Sequence, residues 1–392
     1  MKDVLYLAWR YLAHHRVKTT VLVASITLIL FVPAALRTIV SRSEEQLTAR
    51  AEATPLVVGT KGSPLELVLS SLYFGQDVPE RMPFGEAGRV RESGLAQAIP
   101  LYVRFRAGDD PIVGTNLDYF AFRGLRIASG RMITRLGDCV LGARVAKERD
   151  LGPGDALMSS PETVFDLAGV YPLKMRVTGV LAPSGTPDDE AVFVDVKTAW
   201  VIEGLAHGHA DLTDPDAAAG VLKREDGRVV GNASVVQFNE ITDENVDSFH
   251  FHGDVADFPI TAVLAVPFDR KSSALLRGRY EAPDEARQIL QPAAVLDDLL
   301  GDILTVEKFV VVAFLLVGLA TLATAALVFL LSMRLRRREI ETLVKIGGSK
   351  PRVTAILLTE VAAVLVASAV LAALLTWLVS GMATERIRTW VG

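Results

Sequence analysis

The chain is poor in the residues that build disulfide, redox and nucleotide chemistry. It holds a single cysteine, Cys139, so no intrachain disulfide can form and no cysteine zinc site can be assembled. That lone thiol reads as a small buried hydrophobe. No Gly-x-x-x-x-Gly-Lys-[Ser/Thr] run occurs. Gly347-Gly348-Ser349-Lys350 lacks the spacing, which excludes ATP binding and hydrolysis by that route. Neither a Gly-x-Ser-x-Gly elbow nor His-Glu-x-x-His is present. A basic excess is also missing: 41 Lys and Arg stand against 46 Asp and Glu, a net charge of −5. A nucleic-acid binder would show a basic face. The paired acids Asp188-Asp189 fall in a Pro/Gly turn and are read as solvated rather than catalytic. Asn232-Ala233-Ser234 spells a glycosylation sequon, a match at chance level.

Charge is absent altogether from residues 19–36, 309–333 and 361–384. Uncharged apolar runs of about 18 residues or more read as membrane spans. Half of all residues are hydrophobic, and with these runs a plain soluble enzyme and a disordered chain are both excluded. The expected spans are 19–40, 306–333 and 353–381. Residues 1–18 carry Lys2, Arg10, Arg16 and Lys18 against Asp3 alone. The stretch 334–352 carries seven basic residues against Glu339 and Glu341. Short basic segments stay in the cytoplasm, so both are placed inside. Residues 19–333 hold 28 basic and 41 acidic residues, a net of −13, and the stretch 41–305 is placed outside. The third span then puts the tail, 382–392, outside as well. Residues 1–36 share a basic start, an apolar core and Pro33-Ala34-Ala35 with a cleaved signal. The run is long enough to span, so an uncleaved anchor is the better reading. Val4, Leu5, Ala8, Tyr11 and Leu12 share one helical face, as in a helix lying in the inner interface.

Outside, residues 37–52 continue the first span as a polar helix. Residues 284–308 read as a helix leading into the second, because Ile289, Ala293, Leu296, Leu300 and Ile303 recur at helical spacing. These two helical stalks would carry an α+β domain. Its β-like runs are 55–58, 98–105, 174–181, 191–196, 234–239 and 261–267, with helix-like pieces at 143–150 and 197–205.

Four of the six histidines form two pairs in this outer region, His207-Gly208-His209 and His250-Phe251-His252. In an extended strand, residues i and i+2 face the same way, so each pair offers two imidazoles to one ion. Four nitrogens, or three and a carboxylate, suit Zn²⁺, and imidazole also suits Cu²⁺. Asp211 and Asp254, two residues beyond each pair, are candidate ligands or supports. The competing reading is that these are packing or loop histidines far apart in space.

The cytoplasmic loop from Arg334 reads RLRRREIETLVKIGGSKPRVTAILLTE. It is an amphipathic helix, a Gly-Gly break, and a new helix entering the membrane. Ile340, Leu343, Val344 and Ile346 form its apolar face, and Arg338, Glu339, Glu341 and Lys345 its charged face. Such a helix lies in the interface or docks in a partner's groove. The run from Arg338 to Gly348, followed by Ile356 and Glu360, resembles the coupling helix of FtsX-like permeases, the MacB/LolC-type membrane subunits of ABC transporters. Gly130-Arg131, Val140-Leu141-Gly142, Val145-Ala146, Leu151-Gly152-Pro153-Gly154-Asp155 and Val177-Thr178-Gly179-Val180 stand in the order of that family's outer core domain.

The resemblance implies a transport subunit without its own ATPase site, in a bacterial inner membrane, with its large domain in the periplasm. It implies a separate ABC-type ATPase that binds ATP and docks on Arg338, Glu339, Ile340, Leu343, Lys345, Ile346, Gly347 and Gly348. It further implies a permease homodimer, contact with membrane lipid, and an extracytoplasmic substrate-binding or effector protein. The alternative within the family is a non-transporting mechanotransmission subunit that controls an extracytoplasmic hydrolase. The family pattern has four spans, whereas three are expected here. Glu360, about one turn inside the third span, is expected at the cytoplasmic interface near Arg352 or Arg338.

Overall fold

The computed structural model describes residues 2–75, 77–161, 172–208, 221–225, 228–231, 238–335, 342 and 350–391. In chain order it runs α1 (Lys2–His14), α2 (Arg16–Glu52), β1 (Leu56–Thr60), α3 (Pro64–Tyr73), β2 (Met82–Pro83), α4 (Gly85–Glu92), β3 (Ala96–Ala107) and β4 (Asp110–Thr115). Next come α5 (Leu117–Arg123), β5 (Ile127–Gly130), β6 (Asp138–Leu141), α6 (Ala143–Arg149), β7 (Ala156–Met158), β8 (Lys174–Leu181), β9 (Val192–Asp195) and α7 (Val196–Ile202). The rest is β10 (Ala206–His207), β11 (Val221–Glu225), β12 (Arg228–Gly231), β13 (His250–Phe251), β14 (Pro259–Ile260), β15 (Ala262–Pro267), α8 (Arg270–Arg279), β16 (Arg287–Leu290), α9 (Pro292–Leu335) and α10 (Lys350–Val391). The chain divides into a helical unit, Met1–Leu47 with Asp297–Trp390, and an α+β unit centred on Thr48–Leu296.

The α+β unit is built on a ten-stranded sheet in the order β16-β1-β15-β3-β4-β9-β6-β8-β5, with β7 paired to β8. Most pairs are antiparallel; β4 with β9 and β6 with β8 are parallel. The long strand β3 joins the two halves, pairing with β15 on one side and β4 on the other. Its central residues are buried on both faces, which explains a run as apolar as Ala98-Ile99-Pro100-Leu101-Tyr102-Val103. The β3–β4 turn passes through Gly108 at φ +64°. Local chemistry sets the helix starts. Ser63 accepts from the Glu66 amide and Pro64 opens α3, while Asp195 accepts from the Lys197 amide to start α7 directly off β9.

The expected strands at 55–58, 98–105, 174–181, 191–196 and 261–267 are present with ends moved by a residue or two. The run 234–239 falls largely outside the described residues. One expectation is corrected. Residues 284–291 are not helical: Arg287–Leu290 is the edge strand β16, in register with β1 through Ile289 and Val58, and the helix starts at Pro292. Ile289 fits a helical period and a strand period equally well, and pairing with β1 decides between them.

In the helical unit two helices are long and apolar enough to cross a membrane, at Arg16–Ser41 and Thr354–Val379. Within α9 the apolar stretch over described residues is shorter, Lys308–Thr324. The three-helix count is therefore not reached by this measure. Large apolar side chains such as Leu315, Leu316, Leu319, Leu374 and Trp377 face outward, and most of the buried positions are small or polar, among them Ala35, Thr27, Ser368 and Ala372. Ser368 and Thr27 are buried, with the Thr27 hydroxyl 3.4 Å from the Ser368 carbonyl and the Ser368 hydroxyl 3.3 Å from the Val23 carbonyl. Greasy surfaces around interfaces of small and hydroxylated residues are the pattern of helices packed in lipid.

Candidate functional site

The coupling residues Arg338, Glu339, Ile340, Leu343, Lys345, Ile346, Gly347 and Gly348 lie outside the described residues. Glu360 is described. It is buried in the helical unit, on the wall of a cavity of about 320 Å³ that Tyr11, His15 and Lys18 also line. The cavity is walled by α1, the first half of α2 and, through Leu322 and Ala326, α9; the side chains of Arg338 and Arg352 lie outside the description.

The α+β unit holds a buried ionic junction where α2 ends. Arg50 donates to Asp188 through both terminal nitrogens, at 2.6 and 2.9 Å. The same guanidinium donates to the Tyr119 hydroxyl at 2.9 Å, and that hydroxyl donates to Asp188 at 2.6 Å. The Thr186 hydroxyl completes the set at 2.9 Å, and Arg50 lies 5.6 Å over the Phe74 ring. Burial pushes the Asp188 carboxyl up, but the Arg50 charge and the hydrogen bonds from Arg50 and Tyr119 outweigh it. Asp188 therefore sits below the usual carboxylate range. Burial and then the Asp188 charge push the Tyr119 hydroxyl upward. Asp188 is 1% exposed, which corrects its reading as a solvated turn residue. Gly142 makes room for the turn: a methyl there would overlap the carbonyl oxygens of Asp188 and Asp189. No local pattern marks this junction, because Arg50 sits in a polar stretch and its partner is 138 positions away.

Three of the four paired histidines converge. Strand β10 pairs antiparallel with β13, with His207 opposite His250 and Ala206 opposite Phe251. Along β13 and its continuation, Phe251 turns inward. Its ring lies 6.3 Å from Trp200 and 6.0 Å from Phe258, and Trp200 is pinned by its indole N–H to the Pro259 carbonyl at 2.7 Å. His250 and His252 take the opposite face. The ring centroids of His207, His250 and His252 lie 4.7–4.9 Å apart, and one ligand atom from each falls within 4.8 Å of the others. The His250 Nδ1 lies 2.9 Å from the Ser248 carbonyl. His209 and Asp211 lie outside the described residues. Asp254 is engaged elsewhere, accepting from the Ala256 amide at 2.9 Å, and is not one of the clustered groups.

The family of the MacB-like periplasmic core domain matches residues 21–225, just over half of the chain. Among solved structures, the periplasmic region of MacB from Actinobacillus actinomycetemcomitans is similar at 11% identity, covering 63% of this chain and 94% of that one, with a TM-score of 0.34. The extracellular domain of the noncanonic ABC-type transporter YknZ from Gram-positive bacteria is similar at 13% identity, covering 60% and 98%, with a TM-score of 0.32. No curated protein matches the chain. With the family matched over more than half its length, and with two helices long enough to cross a membrane, the chain belongs to the MacB-like family of ABC transporter permeases and carries that family's periplasmic core domain.

Proposed function

We propose that the chain is the permease subunit of an ABC transporter, working as a homodimer with a separate ATPase. In this reading it crosses the bacterial inner membrane at 19–40, 306–333 and 353–381, with its N-terminus inside. ATP-driven closure of two ATPase chains acts on residues 338–348, and the motion reaches the outer domain along the helices that enter it. The observation that carries the reading is the run of α2. It is unbroken from Arg16 to Glu52, about 55 Å at 1.5 Å per residue, and two residues before its end Arg50 is locked to Asp188 inside the domain. A buried two-pronged Arg–carboxylate contact is geometrically stiff, which suits a joint that must pass displacement.

The test uses the full chain in membranes with the ABC ATPase it captures. Ile340→Asp places a charge on the apolar face of the loop helix. It is expected to abolish capture, or to separate ATP hydrolysis from function, while protease resistance of the outer domain stays unchanged. Normal assembly and activity of that variant would overturn the docking assignment. A cell-wall hydrolase recovered on the outer domain, with no transported ligand, would turn the reading toward mechanotransmission.

A further inference from the structure

We propose that His207, His250 and His252 form a three-imidazole site for a divalent first-row transition-metal ion of the Zn²⁺ class. The inference does not rest on the transport reading.

Three observations carry it. The first is convergence. Two of the rings come from one strand and its continuation, and the third from a strand paired with it some forty residues away in sequence. Packing alone gives no reason to gather three imidazoles this closely, because the apolar work at this place is done on the other face. There Ala206, Phe251, Trp200 and Phe258 form the contact, and Ala206 is 1% exposed. The ribbon is therefore anchored on one side and presents imidazoles on the other, which holds the donors on a rigid base.

The second is ring orientation. The His250 Nδ1 faces the Ser248 carbonyl at 2.9 Å. An acceptor there demands the proton on Nδ1 and leaves the lone pair on Nε2. Metal-binding histidines are oriented in this way, the second nitrogen donating to a carbonyl or carboxylate. The third is reach. Metal–nitrogen bonds of about 2.0–2.1 Å in a tetrahedron set nitrogen separations of about 3.3 Å. The ligand atoms already lie within 4.8 Å of one another, so side-chain rotation closes the set without moving either strand. Gly253 follows the last ligand at φ +106°, a backbone conformation that favours glycine.

Among the described residues the donor set is three imidazole nitrogens with no carboxylate. Two of the rings are half-buried and His252 is exposed, so an ion held there is reachable from solvent.

The test is calorimetric titration of Zn²⁺ into the detergent-purified full chain, bearing an affinity tag without histidine. The comparison chains are His207→Ala, His250→Ala and His252→Asn. The last change is at an exposed position, so it leaves the fold intact even if the others do not; circular dichroism checks all three. One ion per chain is expected, with affinity reduced about tenfold or more in His252→Asn and in each other variant that folds. Zinc X-ray absorption of the loaded wild type is expected to show imidazole scattering. No uptake by the wild type, a loss smaller than about tenfold in His252→Asn, or absorption without imidazole scattering would each overturn the proposal.

Discussion

Arg50 and Asp188 face each other through two hydrogen bonds in the interior of the α+β unit, and neither side chain is more than 6% exposed. Removing one partner strands the other charge away from water, which costs about 3–5 kcal/mol. Asp188→Asn is therefore expected to lower the unfolding temperature of the outer domain sharply. The double change Arg50→Met with Asp188→Leu removes both charges and is expected to recover most of the loss. Thermal unfolding of the three chains checks this. Because Asp188 is held below its ordinary value, its stabilisation is complete above the unfolded carboxyl value of about 3.9 and disappears as pH falls through the lower folded value. The gap between wild type and Asp188→Asn is expected to be constant at neutral pH and to shrink only in strong acid.

Gly142 is expected to tolerate no side chain. Its amide donates to the Ala191 carbonyl at 2.9 Å, and the backbone of Asp188 and Asp189 occupies the space a methyl would need. Gly142→Ala forces the turn away from β6, displacing Asp188 from Arg50, at a cost of about 1–3 kcal/mol from overpacking alone. Combining it with Asp188→Asn is expected to cost less than the sum of the two, since both act on one junction. Denaturant melts of the single and double variants read that coupling.

Cys139 is fully buried in β6, and burial, followed by the neighbouring Asp138 charge, pushes its thiol up to about 12. Almost no thiolate exists near neutral pH, and no reagent can reach it. Iodoacetamide is expected to leave the native chain unlabelled and to modify one site after unfolding, as mass spectrometry would show. Fast labelling of the native chain would mean that β6 opens.

The proposed crossing by α9 rests on a shorter apolar stretch over described residues, Lys308–Thr324. A reporter active only outside the cytoplasm is expected to be active when fused after Gly301 and inactive after Thr342. Equal activity at both positions would remove that span.

The strands that the sequence made legible are those whose apolar runs outlast any turn signal, such as Lys174–Leu181 and Ala96–Ala107. Short edge elements were not: β16 borrows its identity from β1, and Ile289 alone cannot declare it. The histidines show the same division. The i and i+2 spacing of His250 and His252 announced a shared face. The meeting with His207 depends on the register of two-residue strands, which no local pattern encodes. Pro187-Asp188-Asp189 has the composition of a surface turn, and only a partner 138 positions distant makes Asp188 an interior residue.

Pro33 lies within α2 and has no amide hydrogen, so the bond that would have reached the Ile29 carbonyl is missing. Directly beside that carbonyl's residue, Gly318 of α9 offers no side chain, and the Ile29 methyl fills the space a Cβ would take. A rod weakened at one point does not share bending along its length. Any bending of α2 is therefore expected to concentrate in the turn around Pro33, where the Ile29 methyl packs against Gly318.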